Sequence, residues 1–146
     1  SNEDVTNKSD IIFVAVKPQN YAEVLQSLSA LDLKDKIFVS IAAGISIAYV
    51  REQLNCDVKV VRVMPNTPLL LSKGATALCP SSDMSDGDFE PVKAMFALGG
   101  VVETFDENPE YPYFNPDYSK YHTYIFKFKL DGNKYYFEDI TVEATK

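Results

Sequence analysis

An α/β domain built on a mostly parallel sheet with flanking helices, followed by a C-terminal β-hairpin, is the fold class that this sequence predicts. Three observations predict it. Apolar runs of strand length alternate with stretches of helical periodicity through residues 1–106, the pattern of βαβ units. The runs are continuous rather than alternating, as in strands covered on both faces. After residue 106 the composition changes: seven of the nine tyrosines lie in the last 40 residues, around an Asp131–Gly132 turn signal.

Each element follows in order. Residues 11–16, IIFVAV, form the first apolar run and read as a buried strand. Residues 18–31 set Tyr21, Val24, Leu25, Leu28 and Leu31 at helical spacing behind Pro18, and proline suits a first helical turn. KIFVSIAAG, 36–44, is the second strand, running out into small residues. Residues 46–54 read as a helix with Ser46 placed to cap it. VKVVRVM, 58–64, is the third strand. It ends in MPNTP, where two prolines bracket Asn66 and Thr67 and stop regular structure. GATALCP, 74–80, is a short strand. Residues 85–100 form a helix with acidic residues in its first turn and glycines at its end, and VVETF, 101–105, is a last strand. Residues 107–120 carry three prolines and no periodicity, which reads as a linker. Strands over 121–130 and 134–144 then flank the turn. The predicted domains are therefore 1–106 and 107–146. Right-handed crossovers put the helices on the faces of the first sheet.

Composition bounds the function. With 146 residues and 46% apolar content, the chain suits one domain, or one plus an appendage. A net charge of −7 argues against a nucleic-acid surface, which needs clustered Lys and Arg. No apolar run approaches the roughly 20 residues of a membrane helix, and SNEDVTNKSD has no signal-peptide character. Cys56 and Cys79 lack metal-type spacing and read as reduced thiols of a cytoplasmic protein. His122 stands among tyrosines and lysines with no ligand cluster beside it, so no metal site is expected.

In such a sheet, ligands bind outside the carboxyl ends of the strands. AVKP (15–18), IAAG (41–44) and MPNTP (64–68) follow the first three strands and should share one edge. Ala42, Ala43 and Gly44 let a flat ring or ribose approach the backbone. Lys17 offers charge to a phosphate, or is a solvated turn lysine. Spacing alone fits MPNTP to a rigid turn as well as to a site.

SDIIFVAVKP, VSIAAGISI and VRVMPNTPLLLSKGATAL together resemble pyrroline-5-carboxylate reductase, from Ser1 to about Glu107. The resemblance implies part of a Rossmann-like domain that binds NADP or NAD and reduces a cyclic imine to proline by hydride transfer. It implies that Asn2 lies near the adenosine ribose. Ala15, Val16, Lys17 and Pro18 would run along the cofactor, with Ile41, Ala42 and Ala43 beside its nicotinamide half. Met64, Pro65, Asn66 and Thr67 would line the substrate-side loop. No catalytic residue is assigned.

Two departures from the family shape the expectations. The family opens with a strand and a glycine-rich turn that seats a pyrophosphate on a helix N-terminus, and it continues into a helical domain. Neither pattern is in this sequence. Cofactor binding is accordingly expected to be weak. The IIFVAV edge is expected to be open, and so to be covered by a homo-oligomer or a domain swap. Three readings follow: an incomplete reductase acting on a small-molecule substrate, a site completed by another polypeptide, or a non-catalytic truncated or fused product acting only through association.

Overall fold

The computed structural model describes residues 1–106 in full and residues 123–131 and 134–143 by their backbone. The chain divides into two compact units, Ser1–Phe114 and Asn115–Lys146. The first holds helices α1 (Asn2–Lys8), α2 (Tyr21–Leu28), α3 (Ile47–Leu54) and α4 (Asp86–Ala97). Its strands are β1 (Ile11–Val14), β2 (Ile37–Ser40), β3 (Lys59–Pro65), β4 (Gly74–Pro80) and β5 (Gly100–Thr104).

Local chemistry sets the element ends. Ser46 caps α3 by accepting the Tyr49 backbone N–H at 3.0 Å, and Ser85 caps α4 through the N–H of Asp88, each satisfying a donor that the helix leaves orphaned. Asn55 ends α3 in the left-handed conformation, which asparagine tolerates better than most residues. Pro18 begins a short 3-10 turn, Pro18–Asn20, rather than the helix proper. The helix expected from residue 18 therefore starts at Tyr21.

The five strands lie in the order β1-β2-β3-β4-β5. β1, β2 and β3 are parallel, as expected. β4 is antiparallel to β3 and parallel to β5. The sheet is thus mostly parallel, as expected, with one antiparallel step between β3 and β4. The reason is length. Only residues 66–73 join β3 to β4, and a parallel crossover needs a dozen residues or more.

Two apolar clusters flank the sheet. Ile12, Val14, Phe38 and Val60 pack with Tyr21, Leu25 and Leu28 of α2 and with Ile47, Val50 and Leu54 of α3. On the other face Val39, Val61, Val63 and Leu78 pack with Phe89, Val92 and Phe96 of α4. Each fully buried Val, Leu or Phe contributes roughly 1.5–3 kcal/mol. All four residues of β2 are buried, which explains its lack of polar alternation.

The second unit holds β6 (Thr123–Asp131) and β7 (Lys134–Glu143), paired antiparallel. The register passes from Lys127–Asp139 to Phe128–Phe137, so Glu138 is the extra residue of a bulge. Gly132 of the turn signal and the segment 107–122 lie outside the described residues. Among the described residues no helix is long and apolar enough to cross a membrane.

Candidate functional site

Register places the three turns. Val14 pairs with Ser40, and Ser40 pairs with Arg62. β1 and β2 stop on that row, whereas β3 continues through Val63, Met64 and Pro65. Three further residues extend β3 by about 10 Å. β4 runs back beside this overhang, with Thr76 opposite Pro65 and Ala77 opposite Met64. The turns after β1 and β2 thus form a floor, and the end of the β3–β4 pair stands as a wall beside it.

Tyr21 braces the floor from below. Its ring is fully buried, and its hydroxyl donates to the Val14 carbonyl at 2.6 Å and meets the Ser40 hydroxyl at 3.2 Å. One side chain therefore ties together the ends of β1 and β2 beneath the two turns. Burial pushes the phenol above its ordinary value, against hydrogen bonding with Ser40 and the backbone at Ala42 and Ile41. The hydroxyl stays neutral and keeps donating.

Above the brace, Ala15, Lys17 and Pro18 are exposed and Val16 half-buried. In the second turn Ala42 is buried in the core, while Ile41, Ala43 and Gly44 face outward. Gly44 sits at φ +76 with nothing within 4 Å of where a Cβ would be. The backbone is bare there, and a positive φ suits glycine.

The wall is rigid at its base. Asn66 Oδ1 accepts the backbone N–H of Ala75 at 2.9 Å, fastening the end of β3 to the start of β4. Thr67–Leu71 form a 3-10 turn. Gly74 donates to the Gly99 carbonyl at 2.8 Å, and a Cβ on Gly74 would lie 2.7 Å from Leu69 Cα. Gly100 adopts φ +143 against Gly74. Both positions thus require the absence of a side chain. Met64, 40% exposed, presents an apolar surface at the top of the wall.

Eleven of the twelve residues expected at a site therefore share one edge: Ala15, Val16, Lys17 and Pro18; Ile41, Ala42 and Ala43; and Met64, Pro65, Asn66 and Thr67. Asn2 is instead the exposed first residue of α1. Sequence reasoning missed the Tyr21–Ser40 brace. Tyr21 falls on the apolar stripe of α2, and only its hydroxyl hinted at a second task. The residues on this edge leave room for a flat, anionic ligand: bare backbone at Gly44, a small side chain at Ala43, and a cation at Lys17. Among the described residues no cluster of three or more His, Cys, Asp or Glu is placed to hold a metal ion.

Residues 1–44 match the family model described as NADP oxidoreductase, coenzyme F420-dependent. The chain is 36% identical over 112 residues to pyrroline-5-carboxylate reductase of Escherichia coli, covering 77% of this chain and 42% of that protein. It is 39% identical over 103 residues to pyrroline-5-carboxylate reductase 3 of Danio rerio, covering 70% and 36%. Among solved structures it is similar to the pyrroline carboxylate reductase of Plasmodium falciparum with NADP bound. There the TM-score is 0.67 and the identity 32%, over 72% of this chain and 40% of the other. The chain thus spans less than half the length of these relatives.

Proposed function

Over the length that matches, the chain belongs to the pyrroline-5-carboxylate reductase family, and from that premise we propose that its three-turn edge is part of the crevice of an NAD(P)H-dependent reductase of 1-pyrroline-5-carboxylate. The product would be proline, which makes the role biosynthetic. The observation that carries the reading is the stagger of the sheet: β1 and β2 end on one row and β3–β4 overhang it, leaving a ledge at the carboxyl ends of parallel strands.

A nicotinamide dinucleotide, when bound, supplies the hydride. The chain's own residues hold and orient. Ala15, Val16 and Pro18 give a contact surface along the first turn, and Lys17 neutralises phosphate charge. Ala43 and the bare backbone at Gly44 let a flat group approach, while the buried brace under them keeps the ledge from shifting. Met64 and Pro65 shield one side from water, and Thr67 adds a hydroxyl next to Asn66. Asn2, at the start of α1, is the residue proposed on the ribose side. No acid or base among the described residues is assigned to the proton that the imine nitrogen gains.

The relatives above are reductases by name and give no support to a chain acting only through association. A cytoplasmic setting is part of the proposal, in keeping with the free thiols of Cys56 and Cys79. The outer edge of β1 pairs with no described strand, and we propose it as the edge where a further strand, from a second copy or another segment, adds to the sheet.

The test is a fluorescence titration with NADPH on the 146-residue chain and on Ala43→Asp. Ala43 is exposed, so the new carboxylate leaves the core intact while repelling phosphate and blocking close approach. Saturable binding by the parent chain, weakened at least about tenfold in the variant at unchanged melting temperature, is the expected outcome. Absence of binding to the parent, or equal binding to both, overturns the reading.

A further inference from the structure

We propose that Asn66 is a positioning residue whose side-chain amide N–H groups hold a carbonyl or carboxylate oxygen of the ligand in this crevice, an inference that rests on the reductase reading above. An asparagine amide has one acceptor end and one donor end. Ala75 N–H is a backbone donor, so the atom facing it at 2.9 Å must be the carbonyl oxygen Oδ1. That single contact removes the usual freedom to flip the amide. The Nδ2 end is then turned away from β4, and among the described residues it donates to nothing. Asn66 is exposed, directly beyond the overhanging end of β3.

The neighbours sharpen the point. Pro65 and Pro68 have no backbone N–H, so the stretch from 65 to 68 is poor in donors apart from Asn66 and Thr67. The Asn66 carbonyl is already used, accepting Leu69 N–H at 3.0 Å. The two Nδ2 hydrogens are therefore fixed donors on an apolar wall that includes Met64, 40% exposed. Such a pair matches one planar oxygen acceptor. Two sources present one here: the carboxamide of a nicotinamide and the carboxylate of a cyclic imino acid.

Fastening β3 to β4 explains the Oδ1 contact by itself, and an aspartate does that equally well. Asn66→Asp is therefore the informative variant. It keeps an oxygen toward Ala75 N–H, replaces the donor end and adds a negative charge, so each titration is repeated at high salt, where charge repulsion is screened and the loss of a donor is not. The full chain and the variant are titrated with NADPH alone and then, with NADPH present, with proline as the carboxylate probe. At unchanged melting temperature, a loss of about tenfold for NADPH assigns the carboxamide, and the same loss confined to proline assigns the carboxylate. Equal affinities for both probes overturn the proposal and leave the reductase reading standing, whereas a parent chain that binds neither probe overturns both. If the variant unfolds, nitrogen-15 NMR of the parent chain decides. The Asn66 Nδ2 protons shift on ligand addition if the proposal holds, and their failure to shift on saturation ends it.

Discussion

Thr76 shows how a single atom is decided by its neighbours. It lies on β4 between Pro65 and Val102, on the face that Leu78 shares with α4. It is 3% exposed, and its hydroxyl oxygen has no hydrogen-bond partner. A buried hydroxyl without a partner costs roughly 1–3 kcal/mol relative to a satisfied one. Thr76→Val replaces it with a methyl of nearly the same shape, and a gain of about 1 kcal/mol is expected, read as a higher urea midpoint at unchanged slope. A loss of stability would mean that the hydroxyl is satisfied after all. The letters GATAL give no hint of this, because the burial of Thr76 follows from which strand lies on each side. Tyr21 teaches the same lesson in reverse. Its periodicity marks it as core, yet the partners of its hydroxyl come from β1 and β2, which only the folded sheet brings together.

Among elements, the edge opposite the crevice is clamped by charge. Arg51 on α3 donates through Nε to the Val58 carbonyl at 2.9 Å and through Nη2 to both oxygens of Asp83 at 2.7 Å. Lys59 of β3 meets Asp88 of α4 at 2.8 Å, so a residue of α4's acidic first turn also ties the helix to the sheet. Burial works to raise the Asp83 carboxyl, but hydrogen bonds from Ser81 and Arg51 and the guanidinium charge outweigh it and hold the group below its ordinary 3.8. Lys59, then Ser85, depress Asp88 in the same direction. A depressed folded value means that this stabilisation is complete above the ordinary carboxylate value and is lost as pH falls through the folded one. Arg51→Gln is therefore expected to lower the urea midpoint at pH 7, with the gap to the parent chain narrowing below about pH 4. A gap independent of pH would show that Arg51 acts only through its bond to Val58. The strand directions belong to this scale too. The eight residues that join β3 to β4 decide an antiparallel pair, a length argument that was open to the sequence.

For the whole molecule, the division into Ser1–Phe114 and Asn115–Lys146 makes a prediction about cooperativity. Among the described residues, both apolar clusters of the first unit are built from residues before 103, so removal of 115–146 is expected to leave its core in place. A chain ending at Phe114 should keep a cooperative thermal transition within a few degrees of that of the first unit in the full chain. Loss of the transition would show that the second unit is needed for the first to fold. The division falls after Phe114, and the antiparallel pair of β6 and β7 lies within the second unit.

By itself the sequence determined the types and order of the elements from β1 onward, though not α1, and the spelling of the three turns, because periodicity, capping and proline placement act over a few neighbouring residues. It also determined the family, since VRVMPNTP and the turns before it keep their order and spacing. Only the tertiary structure decided that β3 overhangs its neighbours, that Tyr21 locks the floor, and that Asn66 turns its donors away from β4. Each of these depends on register between strands far apart in the chain. Register is set by how two faces of apolar side chains pack at once, and no local stretch of residues carries that information.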